Sequence, residues 1–379
     1  MTAAVASPQT KPVRKPPLPA LTGIRTLLAF NIVLFHFTPP YLGPIRPFVE
    51  HGFVFVNVFF LISGFILSYN YFDRGAGLIK RDFWLARFAR LYPVYLLVLA
   101  ISFPMLMLEW TARSHEEFFL GLTLSPLLLQ GWSPSLATFW NTVAWTLSCE
   151  VAFYVAFPWI IRAPWPKKPS RLVMLLGVLW LIDLLPSAIY LLTNPDHLAV
   201  PVDRYTSTTI VRWLKYTPIP YAATFLSGVT LSRLQLNLEI TPRQRMAIAA
   251  VAMVGLALFF YLAADHVPYL VLHCGLLLPL FAALVFGLCG THPISKIFSW
   301  GPLLLVGEST YCLYLLHFNV FNLIHMYKLP QLLHVEALDP WISYVALIVL
   351  SVVVYRLFEN PVRKAILNRF PPASRRQAS

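Results

Sequence analysis

Charge is what this sequence has least of. Asp, Glu, Lys and Arg make up 12% of its 379 residues, about half the roughly 25% usual in a soluble domain. Apolar residues reach 58% and mean hydropathy is +0.66. A soluble fold of this length could not hide so much apolar surface, so the solvent must be largely lipid. Cysteine is scarce too: the four residues Cys149, Cys274, Cys289 and Cys312 lie in separate apolar runs with no CxxC pair. That pattern points away from a disulfide scaffold or metal site and toward small core residues. No short apolar run ending in a small-residue cleavage site opens the chain, so no cleavable signal peptide is expected. Nor is an internal repeat evident, which disfavours transporter folds built from duplicated halves.

What the sequence does have is apolar runs of spanning length. Windows of about 20 residues give ten candidate helices, at 21–38, 51–71, 89–109, 140–161, 171–192, 216–233, 245–264, 268–289, 302–326 and 340–358. Ten crossings leave both termini on one side. Of the Lys and Arg residues between spans, 21 fall on that side, and six (Arg46, Arg113, Arg204, Arg212, Lys215 and Lys328) fall on the other. The positive-inside rule makes the first side the cytoplasm. The net charge of +13 is therefore topology, and a nucleic-acid partner is not expected. The expectation is an all-α, polytopic membrane bundle of about ten helices, with both termini cytoplasmic. Its transmembrane domain would cover 21–361, flanked by Pro-rich and basic tails at 1–20 and 362–379. The run 118–129, too short to span, is expected to be re-entrant or interfacial.

Ionisable groups at membrane depth are costly and usually face a cavity. In the first run, LTGIRTLLAFNIVLFHF, Arg25 and His36 are eleven residues apart. Eleven helical steps close to about 20° from three full turns, so the two share a face across about 16 Å of rise. In the second, Ser63-Gly64 interrupts a bulky run and permits close approach by either a neighbouring helix or a ligand. Arg87 and Arg90 follow one turn apart. Paired guanidinium groups suit phosphate because their donors are planar and bidentate, although basic residues here also orient the chain. Glu150 falls in the middle of WTLSCEVAFY, where a carboxylate needs a partner. His317 and Asn319 lie in the ninth run, as substrate contacts or as hydrogen-bonded structural groups, with Glu308 and His325 nearer its ends. Asp183, His273 and Arg356 are weaker candidates.

Taken in order, these strings resemble the acyltransferase type 3 family, integral-membrane acyltransferases of glycans and related acceptors. The resemblance covers 21–361. It rests on LTGIR with Arg25 and His36, FFLISGF at 59–65, RFARLYP at 87–93, WTLSCEVAFY at 145–154, TYCLYLLH at 310–317 and FENPVRK at 358–364. It departs in one place: Thr26 follows the arginine where the family more often has Gly or Ala. The family implies a ten-helix core with cytoplasmic termini, an essential Arg25/His36 pair and an acyl-CoA donor entering from the cytoplasm. The hydrolase-like extracytoplasmic domain fused to some members has no counterpart in these residues. The expectation is that any hand-off is completed within the chain or by a separate protein, such as a polysaccharide-assembly partner.

Chemistry then assigns provisional roles. An alcohol is a poor nucleophile until its proton is being removed, and imidazole suits that task. His36 is expected to be the base, with Glu150 orienting it as a buried carboxylate does in a Ser-His-Asp arrangement. Arg25, Arg87 and Arg90 would hold the phosphates of acetyl-CoA, a co-substrate. No permanent cofactor or metal is expected. The acceptor would be a glycan hydroxyl or that of a lipid-linked oligosaccharide. A flippase for lipid-linked sugars is the rival reading. A scaffold in an export complex is a third, but it leaves the Arg25/His36 register and Glu150 without purpose.

Overall fold

The computed structural model describes residues 15–371, and every regular element among them is helical. The main helices are α1 (Pro19–His36), α2 (Phe55–Tyr71), α3 (Lys80–Ile101), α4 (Trp145–Ile160), α5 (Pro169–Thr193), α6 (Thr209–Tyr216) and α7 (Ala222–Asn237). After them come α8 (Pro242–Leu262), α9 (Leu278–Leu288), α10 (Gly301–Glu308), α11 (Thr310–Met326), α12 (Trp341–Val354) and α13 (Asn360–Arg369). Seven segments of the described residues are long and apolar enough to cross a membrane: Pro19–His36, Gly52–Gly75, Lys80–Ile101, Pro169–Thr193, Pro242–Leu262, Tyr269–Leu288 and Trp341–Arg369. The pair α10 and α11, bent by 66°, makes an eighth if taken as one span. The protein is a multi-pass helical membrane protein.

The other two expected spans are occupied by α4 and α7, each of 16 residues and about 24 Å long. Each is shorter than its expected run because the chain enters it through irregular backbone. Pro218 and Pro220 confine 217–221 to a turn before α7, and 133–144 is a series of turns before α4. Such backbone is tolerated at depth only where protein satisfies its polar groups. Here Tyr95 Oη donates to Ser125 O at 2.7 Å and Asn141 Nδ2 to Leu315 O at 3.1 Å. Gly131 N donates to Ser148 Oγ at 3.2 Å. The expected 89–109 span also shifts: α3 starts at Lys80 and ends before Ser102, and a separate helix occupies Phe103–Ala112. The 118–129 run contributes to the helix His115–Leu124, capped by Ser114, and to the turns after it.

Close backbone approach sets the centre of the bundle. A Cβ on Gly64 would stand 2.1 Å from Phe225 O, and one on Gly228 would stand 2.0 Å from Leu61 O. Helices α2 and α7 therefore meet through reciprocal glycines. Ser63, one residue away, faces elsewhere and bonds Tyr154 Oη at 3.1 Å. The Tyr269–Leu288 segment breaks at Gly275, whose φ of +82° only glycine adopts readily. Asp183, pressed against that glycine, accepts from Thr224 Oγ1 at 2.7 Å and ties α5 to α7. Of the tail stretches, 1–14 and 372–379 lie outside the described residues. Within the described ones, Lys15 bonds Tyr69 O at 2.7 Å and Asp73 at 2.8 Å. Helix α13 runs on to Arg369.

Candidate active site

Five helices converge on one cavity of about 110 Å³. Helix α1 supplies Arg25, α2 supplies Phe59 and Ser63, and α3 supplies Arg87 and Arg90. Helix α4 supplies Thr146, Glu150 and Tyr154, and α11 supplies Thr310, Tyr311 and Tyr314. Arg87 and Arg90 sit inside α3 and not at its mouth, because the helix begins seven residues before Arg87. The bend at Ser309 between α10 and α11 turns Thr310 and Tyr311 toward the cavity.

The cavity is rich in positive charge. Three guanidinium groups, Arg25, Arg87 and Arg90, face Glu150, which lies in the field of Arg90 and Arg25 and accepts a hydrogen bond from Tyr154. A second carboxylate, Glu359, stands just behind, 4% exposed, accepting from Cys312 Sγ at 3.2 Å and lying within the fields of Arg90, Arg363 and Arg25. A turn of π-helix at Tyr355–Glu359 carries it there, and such turns frequently mark functional sites. Arg87 donates through Nη2 to Tyr71 Oη at 3.4 Å, yet its Nε is buried with no partner. A buried donor left open costs about 1–3 kcal/mol unless something fills it. The arrangement is suited to a phosphate.

His36 is elsewhere. It ends α1, about 16 Å of helical rise from Arg25, and does not line the cavity. Its ring lies 5.3 Å, between centroids, from that of His317 and 5.2 Å from that of Phe318. Glu150, expected to orient His36, belongs instead to the arginine cluster: it lies in the fields of Arg90, Arg25 and Arg87, on the same face of α4 as Tyr154, whereas His36 lies three turns of α1 beyond Arg25. The residue beside His36 is His317. It is fully buried, its Nδ1 bonds the Tyr314 carbonyl at 2.6 Å, and its Nε2 has no partner. A carbonyl only accepts, so Nδ1 carries the proton and Nε2 a free lone pair.

Tyr314 joins the two halves. It lines the cavity, its carbonyl holds His317, and its ring stands 5.6 Å from that of His317. Asn319 is 1% exposed and donates to Trp140 O at 2.9 Å, a bond that fixes α11 against the turns before α4. His325 pairs with Asp339 at 2.8 Å, and Glu308 accepts from Tyr355 Oη at 3.3 Å; neither lines the cavity. Tyr154, Tyr311 and Tyr314 were not singled out in the sequence. Their signal was present, since each stands in a quoted string beside Glu150 or His317, but tyrosines in apolar runs are read as packing. Among the described residues no three His, Cys, Asp or Glu side chains are grouped to hold a metal ion.

A family model described as an acyltransferase domain matches residues 18–357. The chain belongs to the acyltransferase type 3 family. It is 24% identical to the O-acetyltransferase OatA of Staphylococcus aureus over 383 aligned positions, covering 92% of this chain and 57% of that protein. With the peptidoglycan O-acetyltransferase OatA of Listeria monocytogenes the identity is 22%, over 92% of this chain and 56% of the relative. With the acyltransferase MdmB of Streptomyces mycarofaciens it is 33%, over 39% of this chain and 40% of the relative. The chain thus spans about half the length of the curated relatives it matches. No solved structure matches it.

Proposed function

We propose that this membrane protein transfers an acyl group, acetyl, from acyl-CoA to a hydroxyl of a surface glycan or its lipid-linked precursor. The observation that carries the reading is the convergence of Arg25, Arg87 and Arg90 on one cavity whose lining residue Tyr314 also holds His317, the ring beside His36. CoA brings phosphates and a thin pantetheine arm. Guanidinium groups would bind the phosphates by charge-assisted hydrogen bonds, and the arm would carry the thioester along the about 16 Å toward His36. There the imidazole takes the hydroxyl proton as the oxygen attacks the thioester carbonyl. The tetrahedral intermediate then expels CoA thiolate, which recovers that proton from the imidazolium. His317, with its free Nε2, stands ready to accept a bond from the other imidazole or from the acceptor.

The excess of Lys and Arg on one side of the chain supports cytoplasmic termini, ten crossings of the inner membrane and donor entry from the cytoplasm. The peptidoglycan acetylation in the name of the Listeria relative favours a cell-envelope glycan as acceptor. The test is to supply purified protein in lipid nanodiscs with labelled acetyl-CoA and candidate glycans. Acceptor-dependent CoA release with ester formation is expected. Movement of lipid-linked sugar without CoA release would instead favour the flippase.

A further inference from the structure

At the His36 end of the bundle the segment between α5 and α7 is tightly built. Asp196 accepts from Tyr190 Oη at 2.8 Å and from Thr208 Oγ1 at 2.5 Å. Asp203 Oδ1 accepts from the amides of Tyr205 and Thr206 and from the Thr206 hydroxyl. Lys215, on α6 and 2% exposed, sends its ammonium to the carbonyls of Arg204 at 2.9 Å and Thr206 at 3.3 Å. A buried ammonium is a costly way to hold a loop, and what it holds is Arg204. The Arg204 guanidinium lies 4.2 Å from the centre of the Phe35 ring, next to His36 in sequence and close enough for its charge to act on His36.

Of the four cations in this region, three are engaged. Arg113 pairs with Glu109 at 2.5 Å, Arg212 donates to Pro134 O at 2.6 Å, and Lys215 is spent on the loop. Arg204 differs. It is exposed, and among the described residues its guanidinium has no hydrogen bond or ion pair, only the faces of Phe35 and Tyr205. Asp203, the nearest carboxylate in sequence, is occupied within its own turn. A guanidinium resting on an aromatic face keeps its in-plane donors free.

We propose that Arg204, positioned by Lys215, is an anion site for the acceptor: it pairs with a carboxylate or phosphate on the glycan and so presents the hydroxyl to His36. The acceptor class is therefore acidic, either through its own sugars or through the phosphate of a lipid carrier. This deepens the acyl-transfer reading and rests on it.

The experiment uses the full chain in nanodiscs of neutral lipid with labelled acetyl-CoA. Two acceptors are matched in length: a neutral N-acetylglucosamine tetramer and a tetramer alternating glucuronate with N-acetylglucosamine. A lipid-linked sugar phosphate forms a third arm, which separates a carrier phosphate from a sugar carboxylate. Equilibrium binding of each acceptor, fluorescently labelled, is measured alongside transfer. Arg204→Gln should raise the KM and Kd for an acidic acceptor about 10- to 100-fold, the loss of one charge-assisted hydrogen bond. The KM and Kd for the neutral tetramer and the KM for acetyl-CoA should be unchanged, and Arg204→Lys should recover part of the loss. Lys215→Met should raise the KM and Kd for the acidic acceptor and leave those for the neutral tetramer and the KM for acetyl-CoA parental, because it moves Arg204 and leaves the donor cavity alone. If Arg204→Gln binds every acidic acceptor like the parent, or the parent prefers the neutral tetramer, the proposal is overturned. If the parent transfers to no acceptor yet binds the acidic ones through Arg204, the anion site stands and the transfer reading fails.

Discussion

His36 and Arg25 share one face of one helix but answer to different neighbours, and their variants should fail differently. His36→Ala removes an imidazole remote from the arginines, so transfer should fall by about 10²–10⁴ while acetyl-CoA binding, measured by calorimetry, stays near parental. Arg25→Ala, Arg87→Ala and Arg90→Ala should each weaken acetyl-CoA binding by about 1.5–3 kcal/mol, the worth of a hydrogen bond to a charged group; parental affinity in all three would leave them as topological signals. Glu150→Gln removes the carboxylate between Arg25 and Arg90, so its defect should appear in donor handling. Since it lies with the arginines and not with His36, the double variant Glu150→Gln/His36→Ala should lose activity as the sum of the two free-energy effects, as expected for separated sites. Single-turnover kinetics checks this, and a double variant no worse than His36→Ala alone would restore a direct partnership. The polar residues of the site were legible because charge inside an apolar run stands out. Which of them meet was not, because Glu150 is 114 residues from His36 and nothing in a linear string ranks Arg25 above His36 as its neighbour.

Helices α2 and α7 meet at Gly64 and Gly228 with carbonyls 2.0–2.1 Å from where a Cβ would be. Gly64→Val or Gly228→Val should therefore force the helices apart, costing at least the about 1–3 kcal/mol typical of overpacking and lowering the Tm in detergent. The short helix α6 makes a second prediction. Burial, with neighbouring Arg212 next, pushes the Lys215 ammonium down from 10.5 to about 8. Between those values the unfolded chain holds the proton more firmly than the folded one, so this residue makes stability rise with pH across that window. The Tm of the parent relative to Lys215→Met should increase from pH 7.5 to 9.5; a flat difference would place Lys215 in contact with water. Element positions were broadly legible from hydropathy. Their ends were not, because prolines at 218 and 220 and the buried turns before α4 look as apolar as the helices they interrupt.

For the whole molecule the testable quantity is sidedness. All four native cysteines are buried and unpaired, which makes single introduced cysteines readable. Labels applied from outside should reach 196–208 and 329–338 and fail at 73–79 and 163–168. Labelling of both sets from one side would overturn ten crossings. Charge asymmetry is what predicts orientation, since a lysine count needs no structure. The number of crossings is harder to read, because α4 and α7 are shorter than the bilayer core and rely on protein around their ends. Neither could be distinguished from a full span by composition.

Tyr314 stands between the arginine cavity and the histidines, its backbone bonded to one side and its ring lining the other. If the donor arm passes from the cavity to His36 as proposed, this single side chain would be part of a permeability barrier. A continuous channel wide enough for a pantetheine arm would also pass water and protons, discharging the gradient that the membrane maintains. On that reading the barrier would open only when the arm fills the space it vacates. Tyr314→Ala in proteoliposomes should make them leaky to protons, and adding CoA should slow the leak, since the donor would then act as its own stopper. Liposomes that stay tight with Ala at this position would mean that the seal lies with the packed rings of Phe37 and Phe318 beyond the histidines.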